Sequence, residues 1–419
     1  MTVEHLVVVG ASLAGLRAVE AARKAGHAGR ITLIGAEPHL PYDRPPLSKA
    51  FLDVLPAGEL PDRNVFREEQ VFSNELDVDL VLGAPATALD TERKLVFVGE
   101  RAIGYDALVI ATGADARRLP ATDHLAGVHT LRTLDDAVAV RTALDEKARV
   151  VVIGAGFIGS EVAASARKRG LDPVILEALP TPLVRAVGQQ MGAALASLHA
   201  RNGTELRCGV GVASIDGTTR VERVVLEDGT EIPADLVVVG VGAAPAVGWL
   251  AGSGLTLDNG VVCDETLFTG VDGVYAAGDI ARWINPLFDR HMRLEHWTSA
   301  AEQGAAAARN ALDPANAKPY STVPYFWSDW YDSRIQFVGS PIGDEVLVVD
   351  GDLAEDGRVV ALYRQGDRLV GVLTVNGQTE IMKYRGLIAK SASWSDALEF
   401  VEKRKAIRAE KTAKAAQPV

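Results

Sequence analysis

Two glycine-rich fingerprints, each set directly behind a run of β-branched residues, constrain this chain more than any other feature. The first, Gly10-Ala11-Ser12-Leu13-Ala14-Gly15, follows Leu6-Val7-Val8-Val9. The second, Gly154-Ala155-Gly156-Phe157-Ile158-Gly159, follows Val150-Val151-Val152-Ile153. One such motif is weak, because glycines cluster in many turns. Two copies, each between a buried-strand pattern and a small-residue helix pattern, point to two dinucleotide sites in one polypeptide, an arrangement suited to passing electrons between two bound cofactors.

In each motif the glycines allow a tight turn and close approach of backbone to a pyrophosphate, which then sits at a helix N-terminus. The expected contacts are Gly10, Ser12, Ala14 and Gly15 in the first motif, and Gly154, Gly156, Phe157, Ile158 and Gly159 in the second. Ser12 replaces the middle glycine, but it is small and its hydroxyl can donate to a phosphate oxygen. The nucleophile elbow of a hydrolase would need G-x-S-x-G, and position 14 is Ala14. An acid closing the second strand accepts ribose hydroxyls, which assigns Glu37 to the first unit and Glu177 to the second. Glu177 repels a 2′-phosphate, and Ala178 to Pro182 contains no arginine to receive one. NADH is therefore favoured over NADPH at the second site.

The chain's 419 residues exceed one ordinary core, and 48% hydrophobic residues can fill several. The second half repeats the plan of the first: Tyr105 to Ala114 and Asp235 to Gly242 are both buried-strand runs ending in glycine turns. Pro41, Pro45 and Pro46 predict an extended segment. Beyond Asp313-Pro314 and Lys318-Pro319, short alternating segments predict a smaller sheet-containing domain. The expected fold is α/β: two Rossmann-like dinucleotide-binding domains and a smaller α+β C-terminal domain. Residues 1–110 with 241–315 would form the first, 111–240 the second, and 316–419 the third.

A net charge of −12 argues against nucleic acid as a partner. The basic tail, with Lys403, Arg404, Lys405, Arg408, Lys411 and Lys414, reads as a solvated, fraying helix end. The start of the chain runs straight into a strand, and no apolar run reaches membrane-spanning length, so a soluble cytoplasmic protein is expected. Two distant cysteines, Cys208 and Cys263, read as buried, inert thiols.

Leu40-Pro41-Tyr42-Asp43-Arg44-Pro45-Pro46-Leu47-Ser48-Lys49 resembles the signature of FAD-dependent ferredoxin reductases, relatives of apoptosis-inducing factor. Further matches are Ala111-Thr112-Gly113, Leu131 to Asp136, Gly156 to Glu161, Val274 to Asp279, Arg293 to Trp297 and Val323 to Asp329. They span the chain to about residue 400, short of the basic tail. The resemblance implies FAD at the first fingerprint and NADH at the second. It places Arg44 and Lys49 along the flavin side, with Arg132 also on FAD, Ala86 at the adenine and Asp279 at the ribityl chain. Trp297 and Trp327 would line the flavin pocket, and Phe157, Glu161, Glu295 and His296 would lie near the nicotinamide. Arg185 and Gly242 are further NADH-side contacts, and a Lys49–Glu161 pair would carry catalysis. Trp330 stands where the pattern more often has glutamine.

The implied partner is a [2Fe–2S] ferredoxin serving a haem-thiolate monooxygenase or a ring-hydroxylating dioxygenase. Since the chain is acidic, docking would need a local basic patch, for which Arg290, Arg293, Arg309 and Arg334 are candidates. No C-x-x-C or C-x4-C pair stands near Arg44 to Lys49, which excludes a dithiol relay. The remaining alternatives are a quinone- or monodehydroascorbate-type reductase and a redox-sensing protein like apoptosis-inducing factor.

Overall fold

The structure, a computed structural model, describes residues 3–56, 59–353, 355 and 357–415. Its first sheet is parallel and has the strand order Val274–Ala276, Ala107–Ile110, His5–Val9, Arg30–Ile34, Val78–Val81. The second is parallel with the order Glu205–Cys208, Val174–Glu177, Val150–Ile153, Leu236–Val239, Val128–His129. In both, the strand leading into the fingerprint is flanked by the next strand on one side and the glycine-ended late strand on the other. The continuous Val/Ile/Leu runs are fully buried because helices cover both faces of such sheets. Each fingerprint therefore opens at the carboxyl end of a central strand, where α/β sheets bind ligands.

The fingerprint helices are Leu13–Lys24 and Phe157–Lys168, both turning small or apolar side chains inward. The first packs against the helix Trp297–Leu312 with almost no separation: a Cβ on Gly304 would lie 2.0 Å from the Ala14 carbonyl oxygen. The segments joining the two domains pair with each other, Ala114–Ala116 antiparallel to Ala243–Pro245.

The C-terminal sheet is antiparallel, in the order Tyr325–Trp330, Ser333–Gly339, Arg368–Val375, Val359–Gln365, Glu345–Asp350. It packs on the helix Val184–Arg201 of the second domain, where Met191, Leu195 and Leu198 share one core with Trp330, Phe337 and Tyr363. Each large aliphatic side chain so buried contributes about 1.5–3 kcal/mol.

Two expectations need correction. Pro45–Ser48 forms a 3₁₀ turn rather than extended chain, because a proline in a first turn has no N–H to lose. The tail is solvated only in part: in the helix Trp394–Ala415, Lys403 is exposed, but Arg404 reaches Glu380 at 3.5 Å and Arg408 reaches Asp350 at 2.5 Å. Buried Trp394, Ala397 and Val401 seat that helix on the domain. The side chains of Lys411 and Lys414 lie outside the described residues. Among the described residues, no helix is long and apolar enough to cross a membrane.

Candidate functional site

Both fingerprints fit a pyrophosphate. Gly10 has φ +122°, and a Cβ there would lie 2.1 Å from the Ala111 carbonyl oxygen; on Gly159 it would lie 2.2 Å from that of Gly154. These glycines are demanded by the chain itself. The middle position is different. Ser12 is extended, at φ −124° and ψ −160°, a conformation open to any residue. Gly156 is extended too, and a Cβ on it would meet only the Gly240 oxygen at 3.7 Å. What a side chain there would crowd is the space above the helix N-terminus. Neither helix has a side-chain cap or an acid in its first turn, so the leading N–H groups are open to an anion.

At the first site the Glu37 carboxylate accepts from Arg44 Nη2 at 2.5 Å and from the Tyr42 hydroxyl at 2.6 Å. Arg44 Nε also approaches Ser12 Oγ at 3.3 Å. Arg44 thus stands at the acid expected to hold ribose. Ala86 is half-buried against the core of this domain.

Arg132 is aimed by a capping box. Thr133 caps the helix Leu134–Asp145, and Asp136 Oδ2 accepts from the backbone N–H of both Arg132 and Thr133. The guanidinium meets Asp279 Oδ2 at 2.9 Å. Gly278 precedes it at φ +80°, where a Cβ would lie 3.1 Å from that of Ala14. Arg132 Nε and His296 Nδ1 are buried without a hydrogen-bond partner. Burial pushes the His296 imidazole down to about 4, so it is neutral near pH 7. Glu295 is exposed and bonded to Arg293 at 2.8 Å.

An aromatic cluster borders this site. Trp297 donates its indole N–H to Asp43 at 2.7 Å, and its ring lies 6.3 Å from that of Trp327. Tyr325 stacks on Trp327, and the Arg334 guanidinium lies over the same indole at 5.8 Å. Of the basic candidates, Arg290 bonds Ser340 and Arg309 is exposed, whereas Arg293 is mostly buried and paired.

At the second site both oxygens of Glu177 accept backbone N–H bonds, from Ala155 and Leu179, each at 2.9 Å. Phe157 lies against Phe326 at 4.8 Å, and Phe326 lies 5.2 Å from His296, so one aromatic column joins the two sites. Ile158 and Arg185 are exposed at the starts of their helices. Gly242 lies in the interdomain crossing, its carbonyl accepting from Arg117. Cys208 is half-buried rather than buried; burial and then Glu177 push its thiol up, and Cys263 is buried in its own strand.

The sites meet at Glu161, whose side chain is buried. Its Oε2 lies 2.8 Å from Lys49 Nζ and accepts from Ser48 Oγ at 2.5 Å. Its Oε1 accepts from Ser328 Oγ at 2.5 Å and from the Asp329 N–H at 3.3 Å. One carboxylate thus joins all three domains. Ser48, Ser328 and Tyr42 stand inside the quoted motifs, and nothing in their spacing marks them as partners of Glu161 or Glu37.

Two uncapped dinucleotide cradles meeting at an ion pair with a buried carboxylate define an oxidoreductase that binds two such cofactors. The chain belongs to the pyridine nucleotide-disulphide oxidoreductase family, whose sequence model matches residues 4–304. A second family, the reductase C-terminal domain, matches residues 325–413, so the basic tail is part of that domain. The chain is 37% identical over 388 residues to rhodocoxin reductase of Rhodococcus erythropolis, covering 92% of this chain and 89% of that one. It is 38% identical over 352 residues to the benzene 1,2-dioxygenase system ferredoxin–NAD(+) reductase subunit of Pseudomonas putida, covering 83% and 84%. The crystal structure of a covalent putidaredoxin reductase–putidaredoxin complex superposes with a TM-score of 0.86 at 34% identity, covering 93% of each chain.

Proposed function

We propose that this protein is an NADH-dependent ferredoxin reductase that carries FAD at the first fingerprint. Its electrons go to a [2Fe–2S] ferredoxin that serves a haem-thiolate monooxygenase or a ring-hydroxylating dioxygenase. The observation that carries this reading is the Glu161 junction: two nucleotide cradles meet there at an ion pair, and among the described residues no cysteine is a hydrogen-bond partner of Glu161 or Lys49.

FAD, when bound, would supply the redox chemistry, that of accepting a hydride from NADH and passing the electrons on singly. The free N–H groups at Leu13–Gly15 and Phe157–Gly159 hold the two pyrophosphates, with Glu37 and Glu177 as ribose acceptors. Glu177 also fixes the Ala155 N–H, and its charge disfavours the 2′-phosphate of NADPH. Arg132, locked by Asp279, presents its buried Nε to the first cofactor. Phe157 and Phe326 exclude water between the sites. Lys49 offsets negative charge that gathers during reduction, and Glu161 holds Lys49 in place. Trp327 and the Arg334 guanidinium above it, both half-buried, form the edge at which an acidic ferredoxin would dock.

Steady-state assay with a [2Fe–2S] ferredoxin and cytochrome c as the final acceptor tests this. NADH should support turnover only when the ferredoxin is present, and NADPH should support far less. Turnover with a quinone but none with any [2Fe–2S] ferredoxin would overturn the assignment.

A further inference from the structure

Glu161 is held from one side by Lys49 and Ser48. Its other side is held by a hydrogen-bond chain running into the C-terminal domain, and that chain has a fixed direction. Trp330 is fully buried, and its indole N–H, which can only donate, bonds to Ser328 Oγ at 2.9 Å. Ser328 is also fully buried. With its oxygen already accepting from the indole, its hydroxyl hydrogen must point elsewhere, and Glu161 Oε1 lies 2.5 Å away. Ser328 and Trp330 are two apart on one strand, so both face the same side. The indole is itself held: it stacks on His199 at 4.9 Å and 27°, and His199 Nδ1 is bonded to the Tyr331 hydroxyl at 2.8 Å.

We propose that Trp330 and Ser328 are positioning residues for hydride transfer, Trp330 aiming the Ser328 hydroxyl at Glu161 so that Glu161 and Lys49 keep their geometry between the two sites. This inference rests on the function proposed above. Without the indole N–H the serine hydroxyl can rotate, and the carboxylate loses an aligned donor. Small displacements of this kind cost up to about a hundredfold in rate.

Two variants test it, Trp330→Phe and Ser328→Ala, with flavin content and melting temperature confirming that each folds. In anaerobic stopped-flow with NADH, each should lower the limiting rate of flavin reduction about tenfold with an unchanged half-saturating NADH concentration. The double variant should be no slower than the slower single one. Separately, the ¹⁵N-indole resonance of Trp330 should move in Ser328→Ala and in Glu161→Gln. Wild-type limiting rates in both single variants, multiplying losses in the double variant, or an indole resonance indifferent to Ser328→Ala would overturn the proposal. If NADH fails to reduce the wild-type protein, the function is wrong; the indole resonance still decides whether the chain of hydrogen bonds exists.

Discussion

Lys49 Nζ and Glu161 Oε2 stand 2.8 Å apart although the lysine follows a 3₁₀ turn of the first domain and the glutamate sits in the fingerprint helix of the second. The pair is asymmetric: the glutamate is buried and the lysine is partly open to solvent.

That asymmetry predicts different consequences for the two partners. Lys49→Met leaves a buried carboxylate without its cation and should cost about 2–3 kcal/mol in urea unfolding, somewhat below the range for fully buried pairs because Lys49 is partly solvated. Glu161→Gln keeps an acceptor for only one of the two pairs of donors but leaves no buried charge unpaired, so it should cost about 1 kcal/mol, less than Lys49→Met, yet slow flavin reduction by NADH at least tenfold. Equal stability losses in both would contradict this assignment.

Gly10 and Ser12, both in the first fingerprint, make opposite predictions. Gly10→Ala forces a Cβ to 2.1 Å from a backbone oxygen at φ +122°, so it should abolish FAD retention and lower the melting temperature sharply. Ser12→Gly, at an extended backbone, should retain FAD and shift stability by less than about 1 kcal/mol. Loss of the flavin from Ser12→Gly would show that the serine is a required ligand.

Much of this was legible because it is local. Strand, turn and helix of each fingerprint lie within a few residues. The Glu161 junction was only half legible. The Lys49 pairing followed from resemblance, but Ser48 and Ser328 reach Glu161 across domains, and no spacing in the chain encodes such a contact. The tail was misread because Arg404 and Arg408 find acids on Glu380 and Asp350, which sequence distance conceals.

Nucleotide choice should follow Glu177. Glu177→Ala removes both the charge and the acceptor for the Ala155 N–H, so NADH should weaken while the preference over NADPH falls roughly tenfold, about 1.4 kcal/mol. The ratio of kcat/KM values for the two nucleotides measures it, and an unchanged ratio would place the discrimination elsewhere.

Acid should destabilise the fold through its buried imidazoles. Burial lowers His199 to about 4, and His296 likewise, whereas both titrate near 6.5 when unfolded. Between those values the unfolded chain binds protons that the native state excludes. Stability is therefore full above about pH 6.5 and falls as pH drops towards 4, by at most about 3 kcal/mol for His199. His199→Phe should flatten the fall in melting temperature across that range; an unchanged slope would mean that this imidazole accepts a proton while folded.

The most direct test of the electron path is a double-mixing stopped-flow experiment on the purified flavoprotein. NADH is mixed first, in a single equivalent, and oxidised [2Fe–2S] ferredoxin second. The flavin absorbance should bleach within one turnover in the first mix and return in the second, with two ferredoxins reduced for each NADH consumed. Bleaching by NADH with no transfer to any [2Fe–2S] ferredoxin, at low or moderate salt, would contradict the account.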